Sequence, residues 1–98
     1  MDAFLRCQLS PGMFREEVAV CGKTAEGAEF SLFVPEEFTE CDGTVADSGP
    51  VDGWVRVEIL AQDGRLMLVR LPGQTFENGQ TVTVQGSEVE QRPRREAV

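Results

Sequence analysis

The chain has no histidine and no tyrosine, and it carries a single tryptophan and three cysteines. Without histidine no Ser-His or Cys-His couple can form, and a cysteine nucleophile would need another means of lowering its pKa. Every zinc set that uses histidine is excluded as well. Cys7, Cys21 and Cys41 are odd in number, widely separated, and contain no C-x-x-C pair. They are expected to be small buried hydrophobes of a protein kept in a reducing compartment. No G-x-G-x-x-G or G-K-[ST] sequence is present, which removes the usual dinucleotide and phosphate loops. Neither a catalytic residue nor a cofactor is expected.

Long apolar runs are also missing: none approaches the roughly 18–20 residues that a membrane span needs. The opening MDAFLRCQLS lacks the basic start, apolar middle and small-residue cleavage site of a secretory leader. The expected location is the cytoplasm, with no membrane partner. Bases are few. Residues 1–87 hold six bases and fourteen acids, and residues 88–98 hold three of each, for a net charge of −8. Phosphate binding needs clustered Lys and Arg, so nucleic acid is not an expected partner, although Trp54 and Phe33 could stack on single-stranded bases.

What the sequence does contain is period-two alternation. Ala3, Leu5, Cys7 and Leu9 define one face of a strand, and Ser10-Pro11-Gly12 turns the chain after it. Two later segments, VAVCGKTAEGAEFSLFVP (18–35) and VRVEILAQDGRLMLVRLP (55–72), match in pattern 37 residues apart. Each reads as a β-hairpin, spanning about 14–34 and 54–71, closed by a three-residue loop whose third residue, Gly27 or Gly64, adopts the left-handed conformation. In the first hairpin this loop pairs Val20 with Leu32, Val18 with Val34 and Lys23 with Glu29. In the second it pairs Ile59 with Met67, Val57 with Val69 and Val55 with Leu71, which sets Arg56 opposite Arg70. A last strand carries Val82 and Val84 inward, after an Asn78-Gly79 turn. About six short strands without an amphipathic helix predict an all-β fold. The expected form is a small antiparallel barrel or sandwich, SH3-like or OB-like, spanning 1–87. Residues 88–98 are expected to be a flexible tail.

Between the hairpins lies PEEFTECDGTVADSGPVDG (35–53), with six acids, three glycines and two prolines. Its acids, Glu36, Glu37, Glu40, Asp42, Asp47 and Asp52, lack the alternate-acid spacing of a helix-flanked calcium loop. The stretch reads as a solvated link with one helical turn starting at Pro35. A divalent-cation or catalytic role, with Glu40, Asp42, Asp47 and Asp52 as candidate ligands, is the alternative.

The second hairpin is apolar on both faces. With Val55, Val57, Ile59, Met67, Val69 and Leu71 pointing inward, Trp54, Arg56, Leu60, Leu66, Leu68 and Arg70 point outward. A tryptophan, arginines and leucines on one face have the composition of an interface hot spot. The expected function is therefore a non-catalytic interaction module binding a protein partner or a second copy of itself. The competing expectation is that the first strand, the last strand or the acidic link covers this face, with Glu58 or a link acid neutralising the arginines.

Overall fold

The computed structural model describes residues 2–41, 49–77 and 79–92. Among these the fold is all-β: one antiparallel sheet curled into a half-barrel. The strands are β1 (Asp2–Pro11), β2 (Glu17–Lys23), β3 (Glu29–Pro35), β4 (Thr39–Glu40), β5 (Val51–Asp63), β6 (Leu66–Arg70), β7 (Thr81–Gln85) and β8 (Val89–Arg92). Six of them run in the order β3-β2-β1-β5-β6-β7, with β4 added to β5 and β8 added to β1. No helix among the described residues is long and apolar enough to cross a membrane.

The alternation sorts the side chains as its period requires. Ala3, Leu5, Cys7 and Leu9 are buried on the concave side, together with Val18, Val20, Leu32, Val34, Val55, Val57, Val69, Leu71, Val82 and Val84. Phe30 fills the middle of this core directly opposite Gly22. A β-carbon added to Gly22 would sit 2.5 Å from the ring, so this position has to be glycine for the phenylalanine to fit. The two open edges of the sheet are bridged rather than left bare. Ala25 N–H donates to Thr83 O at 2.9 Å, Phe76 N–H donates to Ser31 O at 2.9 Å, and Ser31 N–H donates to the Glu77 carboxylate at 2.8 Å. Such bridges remove the free edge that would otherwise pair with another chain.

The first hairpin has the register expected of it: Val18 faces Val34, Val20 faces Leu32 and Lys23 faces Glu29. Gly27 takes φ +86 at the end of the three-residue loop, and its N–H donates to Thr24 O.

The second hairpin is slipped by two residues from the expected pairing. Ile59 faces Val69, not Met67, and Glu58, not Arg56, faces Arg70. A slip of two leaves every side chain on its own face, so the apolar pattern cannot distinguish the two registers. Turn chemistry decides between them. The loop is the two-residue Gly64-Arg65, with Gly64 at φ +59 and Arg65 at negative φ, the pattern of a type II′ turn. A two-residue loop would put the inward sets of β5 and β6 on opposite faces. A bulge at Leu60, between Ile59 and Ala61, absorbs the extra residue and restores the match.

At the C-terminus, pairing continues past the expected boundary at 87. A 3-10 turn, Gly86–Glu88, leads into β8, whose Glu90 and Val89 face Phe4 and Leu5 of β1. The equivalent event ends the first half, where the 3-10 turn Glu36–Phe38 follows Pro35 and leads into β4 on β5. The expected helical turn at Pro35 is this one.

These two crossings reveal a repeat. The order β1-β2-β3-turn-β4 recurs as β5-β6-β7-turn-β8. Thr39 faces Val55 and Val89 faces Leu5, while Pro11 faces Val18 and Ala61 faces Leu68. In each case the partners in one half lie 50 positions from those in the other. Asp2/Asp52, Arg6/Arg56, Arg15/Arg65, Val34/Val84 and Glu40/Glu90 are identical at that offset, and Phe4/Trp54 are both aromatic. The segments that match 37 residues apart are β2-β3 and β5-β6, both true hairpins but not equivalent ones. The real repeat is a pseudo-two-fold about the β1–β5 pair, each half lending its last strand to the other.

Candidate functional site

The pseudo-two-fold brings six outward side chains together across β4, β5, β1 and β8. Glu40, Trp54 and Arg6 form one cross-strand row, and Arg56, Phe4 and Glu90 form the second. Arg6 lies 5.8 Å from the Trp54 ring. Arg92 covers both aromatics, 4.6 Å from Phe4 and 5.2 Å from Trp54, and forms ion pairs with Glu40 at 2.6 Å and Glu90 at 3.1 Å. Its hydrogen bonds to Glu90 and then Glu40 hold its pKa above the ordinary guanidinium value. This cluster closes the two halves over one another.

The residues expected to form one outward face therefore divide into two groups. Trp54 is half-buried under Arg92 and beside Arg6. Arg56 lies over the Phe38 ring at 5.9 Å, and Arg70 pairs with Glu58 at 3.0 Å. The like-charge opposition of Arg56 and Arg70 disappears with the two-residue slip. Leu60, Leu66 and Leu68 retain 38%, 39% and 36% of their surface. Leu68 faces Ala61 on β5 and Thr83 on β7, and Leu66 faces Asp63 and Gln85. They form an apolar strip on the convex side, ending at the Arg70–Glu58 pair.

Of the candidate cation ligands, Glu40 is engaged by Arg92, and Asp52 is exposed on β5 opposite Gln8. Asp42 and Asp47 lie outside the described residues. Among the described residues no three acids or cysteines are grouped closely enough to hold a metal ion.

The halves differ where β1 and β5 lose a neighbour. On one edge of β1, pairing with β8 ends at Leu5 and pairing with β2 begins at Gln8. A cleft of about 530 Å³ opens there, lined by Arg6, Gln8, Cys21, Lys23, Asp52 and Glu88 among others. At the equivalent edge of β5 the groove shrinks to about 260 Å³, closed in by Phe38, Arg70, Leu71 and Pro72. Of the three cysteines, only Cys7 is fully buried. Cys41 is half-buried against the core, and Cys21 is exposed at the mouth of the larger cleft. Burial, with a smaller contribution from Cys21, pushes the Cys7 thiol up to about 12. The Cys21 thiol is also raised, by partial burial and then by Glu29 and Glu77. Neither has the lowered pKa of a nucleophile.

One feature escaped the sequence reading altogether. Met13 and Phe14, in the turn between β1 and β2, keep 74% and 72% of their surface. The signal was there to be used: two large apolar residues stand inside the polar turn SPGMFREE, where the second half of the chain has none. Arg92 was missed for another reason, since a short basic ending looks the same whether it frays or forms a strand.

No protein-family model, curated protein or solved structure matches this chain.

Proposed function

We propose that the chain is a non-catalytic cytoplasmic interaction module, a small SH3-like barrel that binds a protein partner or a second copy through the convex face of β5 and β6. The observation that carries this reading is the exposure of Leu60, Leu66 and Leu68, at 38%, 39% and 36%, beside a core already filled from the concave side. Leucines aligned on one face gain by being covered. The Arg70–Glu58 pair at their edge offers a charged rim of both signs. Trp54 and Arg56, which composition alone assigns to the same surface, act here as supports, because their contacts are to Arg92, Arg6 and Phe38. The aromatic cluster does not favour nucleic acid, since Arg92 is already neutralised by two carboxylates.

The test is the pair of substitutions Leu66→Ser and Leu68→Ser, followed by light scattering behind a sizing column and by partner pull-down. Association should fall by about tenfold or more, as for an interface anchor, with the melting temperature within about 2 °C of the parent, as for exposed positions. A variant that unfolds instead would mean that these leucines belong to the core.

A further inference from the structure

We propose that the β1–β2 turn is a second, separate docking element: an apolar prong that inserts into a pocket with a basic rim on a partner protein. Met13 and Phe14 are the most exposed large hydrophobic residues of the described chain, at 74% and 72%. They are held out by a built turn, not by a loose one. Gly12 N–H donates to Glu17 O, Glu17 N–H donates to Phe14 O, and Met13 N–H donates to the Glu17 carboxylate. Glu16 adopts φ +66, a left-handed conformation that only it among the described non-glycine residues takes. Its carbonyl is fixed by Glu36 N–H at 2.8 Å. Gly12 is needed for this closure, because a β-carbon there would lie 2.6 Å from Glu17 O.

The second half of the chain supplies an internal control. At the equivalent hairpin it turns through Gly64-Arg65 alone, and neither residue of that turn is apolar. The fold does not require the longer turn, so the strain at Glu16 and the exposed surface serve something other than chain reversal.

Charge identifies the occupant. Phe14 itself lines a hollow of about 460 Å³, together with Arg15, Glu16, Glu17, Pro35, Glu36 and Glu37. Four carboxylates against one guanidinium repel an anionic lipid surface and resist burial in one. They suit a protein whose pocket takes the two side chains while its Lys or Arg enters the hollow. The prong adjoins the start of β5, where Leu9 faces Val51, and the leucine strip lies at the far end of that strand. Either surface can therefore fail its test without the other.

The experiment places the photocrosslinker p-benzoylphenylalanine at position 14 of the full chain, in its own host cells. A control chain carries it at position 76, where another aromatic is 68% exposed. The expected result is a protein adduct about tenfold or more above the control, with a mapped contact peptide that joins apolar residues to Lys or Arg. The adduct is lost with Met13→Ser and with Glu36→Lys combined with Glu37→Lys, and, when the same cells are lysed before irradiation, at 1 M salt, where charges are screened within about 3 Å. An unchanged melting temperature for the Met13→Ser chain shows that the fold is intact. No adduct above the control, an adduct to lipid or to a second copy, a contact peptide without a base, or indifference to charge reversal would each overturn the proposal.

Discussion

Cys7 shows how a single residue ties burial to a pH window. The wall of the barrel withdraws its thiol from water, and this holds the pKa near 12 against an ordinary 9.0. Up to pH 9 the thiol is protonated in the folded and unfolded chain alike, and its contribution to stability is constant. Above 9 the unfolded thiol loses its proton while the folded one keeps it, so stability falls as pH rises from 9 towards 12. The slope from this one group is about 1.4 kcal/mol per pH unit. The chain has no tyrosine and one lysine, and the raised Cys21 thiol, which Cys7→Ala leaves in place, drops out of a comparison with that variant. Denaturant unfolding from pH 8 to 11 should therefore show a decline that is shallower by that amount in Cys7→Ala. Equal slopes in the two proteins would mean that water reaches Cys7. Its inward place was legible in the alternation from Ala3 to Leu9. The same alternation sets Cys21 outward beside Val20, against the burial that its residue type suggests, and Cys21 is exposed.

At the scale of elements, strand identity and facing followed from period two, whereas register in β5–β6 did not. Val55, Val57 and Ile59 stay inward after any slip by two, so the choice fell to one glycine. A regular ladder with Ile59 opposite Val69 would need a three-residue loop, Asp63-Gly64-Arg65, with Arg65 in the left-handed position that disfavours side chains. The chain instead puts Gly64 first in a two-residue loop and expels Leu60 as a bulge. Moving the glycine by one position, with Gly64→Ala and Arg65→Gly together, should invert that preference. Cross-strand nuclear Overhauser contacts would then join Leu60 to Leu68 and Ala61 to Met67, replacing Ala61–Leu68 and Gln62–Met67. If the original pairs persist, the bulge is set by barrel curvature and not by turn chemistry. β8 was beyond such reasoning for a different cause. Its four residues, Val89–Arg92, alternate too briefly to signal a strand, and their anchor is the distant pair Phe4 and Trp54.

Across the whole molecule, the two halves are interlocked instead of being placed side by side. β4 leaves the first half to pair with β5, β8 leaves the second to pair with β1, and Arg92 ties Glu40 to Glu90 over the junction. The sequence carried this repeat only as five identities at an offset of 50, fainter to the eye than the 37-residue match between non-equivalent hairpins. Identical residues survive where the rows cross the two-fold, at Arg6/Arg56 and Glu40/Glu90, whereas the turns and clefts have diverged. Interlocking has a mechanical consequence. The covalent link between Cys41 and Gly49 should be dispensable for holding the fold once it has formed, since β1–β5 pairing and both crossed strands remain. Cutting a protease site introduced into residues 43–47 should leave one species of full mass on a sizing column. Its melting temperature should drop and become concentration-dependent, because closure is no longer intramolecular. Separation of the fragments under native conditions would show that each half depends on the link, and that the crossed strands contribute less than the central β1–β5 pair requires.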